Sequence, residues 1–60
     1  MNTYEALLIT LDEFEMAVSY MDIAMRGPEV EKRQASLSRV KHVFAEVERL
    51  YLQYNAETGR

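Results

Sequence analysis

Gly27-Pro28 is the one strong interruption in a chain whose apolar residues otherwise recur at helical spacing, and it divides the sequence into two segments of nearly equal length. Glycine suits the left-handed residue that ends a helix. Proline at the first position of the next helix loses nothing, because its missing N–H would be unpaired there anyway. Arg26 precedes the break, and Glu29 and Glu31 follow it, so these charges suit the negative and positive ends of the two helix dipoles. The chain therefore reads as a single helical-hairpin domain over residues 1–60, with helix 1 at roughly 3–26, a turn at 27–28, helix 2 at roughly 28–56 and a tail at 57–60. Asn2 and Thr3 are the N-cap candidates of helix 1. Ser36 and Ser38, whose hydroxyls compete for backbone hydrogen bonds, mark an alternative break within helix 2.

The apolar pattern sets the class as all-α. In helix 1, Tyr4, Leu7, Leu11, Phe14, Val18, Met21 and Met25 follow one another at spacings of three and four. In helix 2, Val30, Leu37, Val40, Phe44, Val47, Tyr51 and Tyr54 do the same, with Arg33 the one polar member of the series. Such a repeat is the seam of a coiled-coil-like pair. Folding at Gly27 makes an antiparallel two-helix hairpin. It lays Tyr4 against Tyr51 and Tyr54, Leu7 against Leu50, Leu11 against Val47 and Phe14 against Phe44 and Val43. Val18 then meets Val40, and Met21 meets Leu37. Asp22 faces Arg33, and Glu15 faces Lys41.

One hairpin cannot cover everything this pattern exposes. Ile9, Met16, Tyr20 and Ile23 project from nearly the opposite side of helix 1, with Ala6, Ala17 and Ala24 between the two apolar faces and Glu13 the only charge within that arc. A helix apolar around most of its circumference is normally enclosed by more than one neighbour. A chain of 60 residues without cysteine has a marginal core and no disulfide to supplement it. The expectation is a homodimer, a four-helix bundle formed around a two-fold axis, with Ile9, Glu13, Met16, Ala17, Tyr20, Ile23 and Ala24 as the partner or dimer interface. If the chain stays monomeric until it meets a protein target, the same face becomes the binding site.

Composition narrows the function further. A net charge of −3 lacks the basic surplus of a general nucleic-acid binder. The longest nearly apolar run, Ala6 to Leu11, is far short of the ~20 residues of a membrane span. No Lys or Arg occurs before Arg26 to make a secretory n-region, so cytoplasmic residence is expected. His42 and Glu46 are spaced to share a helix face, but a metal site needs three or four ligands. Asp12, Glu13 and Glu15 read as a solvated acidic face, since paired catalytic carboxylates need a cleft to separate their pKa values. With two glycines in all there is no phosphate-cradling loop. No catalytic residue, metal or cofactor is assigned, and the expectation is a non-enzymatic regulator, inhibitor or adaptor of the kind common in bacterial or phage accessory genes.

The rival reading lies in Lys32, Arg39, His42 and Arg49, nearly one stripe along the outward side of helix 2 and interrupted by Glu46. Such a stripe offers a modest phosphate-binding surface whose affinity would fall steeply with salt. In architecture, length and net sign the chain resembles the Rop family of plasmid RNA regulators, and that resemblance implies RNA binding through one helical face. The run from Ala24 to Leu50, a glycine break followed by charged residues and a long amphipathic helix, resembles part of the flagellin export chaperones, which implies groove binding of a partner helix.

Overall fold

The computed structural model describes residues 1–59. Two helices, α1 (Thr3–Arg26) and α2 (Val30–Thr58), pack side by side in opposite directions and account for almost all of them. The hairpin is long and thin, 49 × 15 × 14 Å.

Local interactions set both ends of α1. Asn2, in extended conformation, caps α1 by accepting a 2.8 Å hydrogen bond from the Glu5 N–H through its side-chain oxygen. Gly27 ends α1, but not in the left-handed conformation expected of it. Its φ of −88° and ψ of 166° are extended. Pro28 is the physical reason, since the ring disfavours helical backbone in the residue before it. The turn consequently runs longer than expected: Pro28 precedes the helix instead of opening it, Glu29 is the N-cap residue, and α2 begins at Val30, two residues later than read from the sequence. α2 also reaches past residue 56, to Thr58. At that open end Thr3 donates to Glu57 (2.9 Å), while the Gln53 amide donates to both Thr3 and Glu57 at 3.2 Å.

The break considered at Ser36 does not form. Ser36 donates its hydroxyl to the Arg33 carbonyl at 2.8 Å, and Thr10 does likewise to the Ala6 carbonyl at 2.8 Å. A hydroxyl satisfied within its own helix can be buried without a partner across the seam. This is how a serine and a threonine come to be the two buried polar residues.

The helices meet along a line different from the one the apolar series suggested. Facing α2 from α1 are Thr3, Leu7, Thr10, Phe14, Ala17, Met21 and Ala24, and the opposing line on α2 is Arg33, Ser36, Val40, Val43, Val47, Leu50 and Tyr54, all buried or half-buried. Leu7, Phe14 and Met21 of the expected seam are there. Tyr4, Leu11, Val18 and Met25 are displaced to its edge and exposed, and so are Val30, Leu37, Phe44 and Tyr51 on α2. Thr10, Ala17 and Ala24 take the place on α1, and Ser36, Val43 and Leu50 the place on α2. The row on α1 is small, which leaves room for Val43 and Leu50 of α2 to pack over it, as two opposed rows of large side chains would not. The expected ring pairs survive this rotation, Tyr4 with Tyr54 at 5.7 Å and Phe14 with Phe44 at 5.9 Å between centroids, both tilted.

The expected cross-helix ion pairs do not form. Asp22 pairs with Arg26 one turn away at 2.8 Å. Arg33 instead donates from Nε (3.2 Å) and from its terminal nitrogen (2.6 Å) to the Gly27 carbonyl, closing the turn and meeting the negative end of α1. Glu15 and Lys41 are in no ion pair among the described residues.

Candidate interaction surface

Because only two helices pack together, every residue outside the seam belongs to one of two broad faces or to an outer edge. No large side chain is fully buried, whereas fifteen large apolar ones are exposed among the described residues. The distribution of those fifteen defines the site.

The first broad face is built by both helices. Tyr4, Leu11, Val18 and Met25 recur every seven residues along α1 and so form one row, which drifts only about 20° per repeat around the helix. Val30, Leu37, Phe44 and Tyr51 form the matching row on α2. Leu11, Phe44 and Tyr51 line one shallow groove together with Leu7 and Val47 at its floor and Glu48 at its rim, so the two rows flank the same side of the seam. All eight are between 38% exposed (Leu11) and 58% exposed (Val30). Glu15 and Asp22 on α1, and Lys41 and Glu48 on α2, border this apolar strip.

The second broad face is mixed. Its α1 half is the surface singled out from the sequence: Ile9, Met16, Tyr20 and Ile23 are all exposed, Ile23 the most at 67%, with Glu13 exposed among them. Ala17 and Ala24, expected on this interface, are instead enclosed by the hairpin itself, Ala17 with only 1% of its surface left. They are the small residues of the seam, and their methyls face α2. The α2 half of the same face carries the basic stripe. Tyr20 shares a groove with Lys32, Ala35, Ser36 and Arg39, and a second groove at the turn end runs from Tyr20 and Ile23 to Pro28 and Lys32.

Within the basic stripe the charges differ in availability. Lys32 pairs with Glu29 at 3.4 Å. Arg49 is held by Glu46 through a bidentate contact, and it also reaches Gln53 at 3.4 Å. The hydrogen bond from Arg49 lowers the Glu46 carboxyl below its ordinary pKa, and the same bond raises that of the Arg49 guanidinium. Both groups are solvent-exposed, so this pair is worth little to stability. Arg39 and His42 are exposed and in no ion pair among the described residues.

Among the described residues, no group of three His, Asp or Glu side chains could hold a metal ion, and no helix is long and apolar enough to cross a membrane. No family model, characterised protein or solved structure matches this chain. The surface chemistry alone therefore carries the functional reading. The sequence pattern located the α1 half of the mixed face. It missed the two-helix face by assigning those eight residues to the seam, although the seven-residue spacing of Thr10, Ala17 and Ala24 was the signal that the seam lay elsewhere.

Proposed function

We propose that this protein is a non-enzymatic interaction module, a small helical regulator, inhibitor or adaptor that works in the cytoplasm as a homodimer, two hairpins completing a four-helix bundle. The observation that supports this is the exposure of large apolar side chains on both broad faces of a unit with so little interior. Monomeric proteins rarely leave contiguous apolar patches of more than a few hundred Å² in water. With two such faces the module can pair with itself on one and receive a protein partner on the other. The mixed face suits a partner helix whose apolar stripe meets Ile9, Met16, Tyr20 and Ile23 and whose acidic edge meets Lys32 and Arg39. Light scattering behind a sizing column tests the first requirement. The expected mass is twice that of the 7.0 kDa chain at micromolar concentration. A folded monomer throughout would refute the proposal.

One observation favours a second reading. Arg39 and His42 are exposed and unengaged by acids among the described residues, and Tyr20, able to stack on a base, lies in the groove beside Arg39. In that reading Lys32, Arg39, His42 and Arg49 contact phosphates in the manner of a Rop-like RNA regulator. It requires RNA binding that weakens steeply as salt rises.

A further inference from the structure

We infer that the face built by both helices is the homodimer interface, and that its occupant is a second copy of this chain, seated with the two Gly27-Pro28 turns at the same end of the bundle. This rests on the self-association proposed above and goes beyond it by naming the face and the orientation.

Three observations carry it. First, the area fits: at the exposures found, the eight side chains of the two rows leave roughly 700 Å² per copy, close to the ~800 Å² per partner of a standard protein interface. Second, the strip is continuous and uncharged along its centre, and both of the hairpin's helices contribute equally. A two-fold axis lying in the interface therefore brings like surface onto like surface and sets Leu11, Val18, Leu37 and Phe44 at the middle of a bundle core. The mixed face lacks this property, because its α2 half carries Lys32 and Arg39 where a second copy would need apolar contact.

Third, charge selects the orientation. A two-fold axis along the helices stacks α1 on the partner copy's α2 and leaves the turns together. An axis across the helices stacks α1 on α1 and places the turns at opposite ends. α1 carries five acids against Arg26 alone, whereas α2 carries Lys32, Arg33, Arg39, Lys41 and Arg49 among its acids. Stacking α1 on α1 sets Glu15 against its own copy near the axis. Stacking α1 on α2 brings Glu15 to the level of the partner copy's Lys41, twice per dimer, and both side chains are exposed at the rim and in no ion pair within the hairpin among the described residues.

The test uses the full chain, with helicity by circular dichroism read alongside every mass. Leu37→Glu puts a carboxylate at the centre of the proposed interface and is expected to raise the dimer dissociation constant about a hundredfold or more. Ile23→Glu, on the mixed face, is expected to leave it within a few fold. Val18→Lys repeats the first arm from α1, should Leu37→Glu lose its helicity. Dimers broken by Ile23→Glu but not by Leu37→Glu or Val18→Lys would overturn this inference while the self-association reading stood. A monomeric wild type would end both. Orientation is read from Glu31→Cys, the only cysteine in that variant, carrying a nitroxide. The expected label separation is about 25 Å across the bundle, and about 40 Å or more, the distance for turns at opposite ends, would overturn the arrangement.

Discussion

Gly27 serves this turn as the residue before a proline, and that changes what a side chain there would do. In the extended region an L residue meets no backbone penalty, and a Cβ at Gly27 would have the Ala24 carbonyl oxygen as its nearest neighbour at 3.6 Å, an ordinary contact. Gly27→Ala is therefore expected to stabilise the protein by about 0.4–1 kcal/mol, through the lower entropy of the unfolded chain. A shift of the urea midpoint to higher concentration checks it. A loss of stability would mean that the turn needs a left-handed residue after all. Arg33 reverses its expected role in a similar way. Read as the polar flaw of an apolar series, it is the residue that satisfies the Gly27 carbonyl just past α1 and ties α2 to the turn. Thr10 and Ser36 are tolerated in the seam for a related reason, since each brings its own acceptor with it one turn back.

For the helices, the decisive quantity is side-chain size along the line of contact. Ala17 lies at the middle of α1 with 1% of its surface exposed, so the isopropyl group that leucine adds has nowhere to go unless the helices separate. Ala17→Leu is expected to cost about 1–3 kcal/mol despite its greater apolarity and equal helix propensity class. The denaturant midpoint at fixed protein concentration checks this. A stabilised variant would mean that α2 does not pack closely over this position. The same economy of size explains why α1 is apolar around so much of its circumference. Its small residues hold α2, and large ones on either flank of that stripe are left uncovered by the hairpin itself.

At the scale of the whole molecule, two helices can enclose one line of contact and no interior, and so the hairpin holds no fully buried large side chain. Under the self-association proposed above, stability is coupled to association, and the melting temperature is expected to rise with protein concentration because a second copy would bind only the folded form. Thermal unfolding over a hundredfold concentration range checks the point. A melting temperature independent of concentration would show that one hairpin sustains itself.

Much of the architecture was legible in the chain: a lone Gly-Pro between two unbroken helical repeats leaves an antiparallel hairpin, and the pairing of Tyr4 with Tyr54 and of Phe14 with Phe44 follows from folding at that point. The open apolar surface of Ile9, Met16, Tyr20 and Ile23 was legible as well, because helical periodicity assigns residues to sides without reference to any neighbour. Periodicity does not say which of two adjacent stripes a neighbour will choose, and here hydrophobicity alone misleads. Leu11 and Phe44 are more apolar than Ala17 and Thr10, yet the less apolar pair lies inside. That choice belongs to tertiary packing, in which α1 turns the small Thr10, Ala17 and Ala24 toward α2 and leaves Leu11 outward, and α2 buries Ser36, Val43 and Leu50 and leaves Phe44 outward.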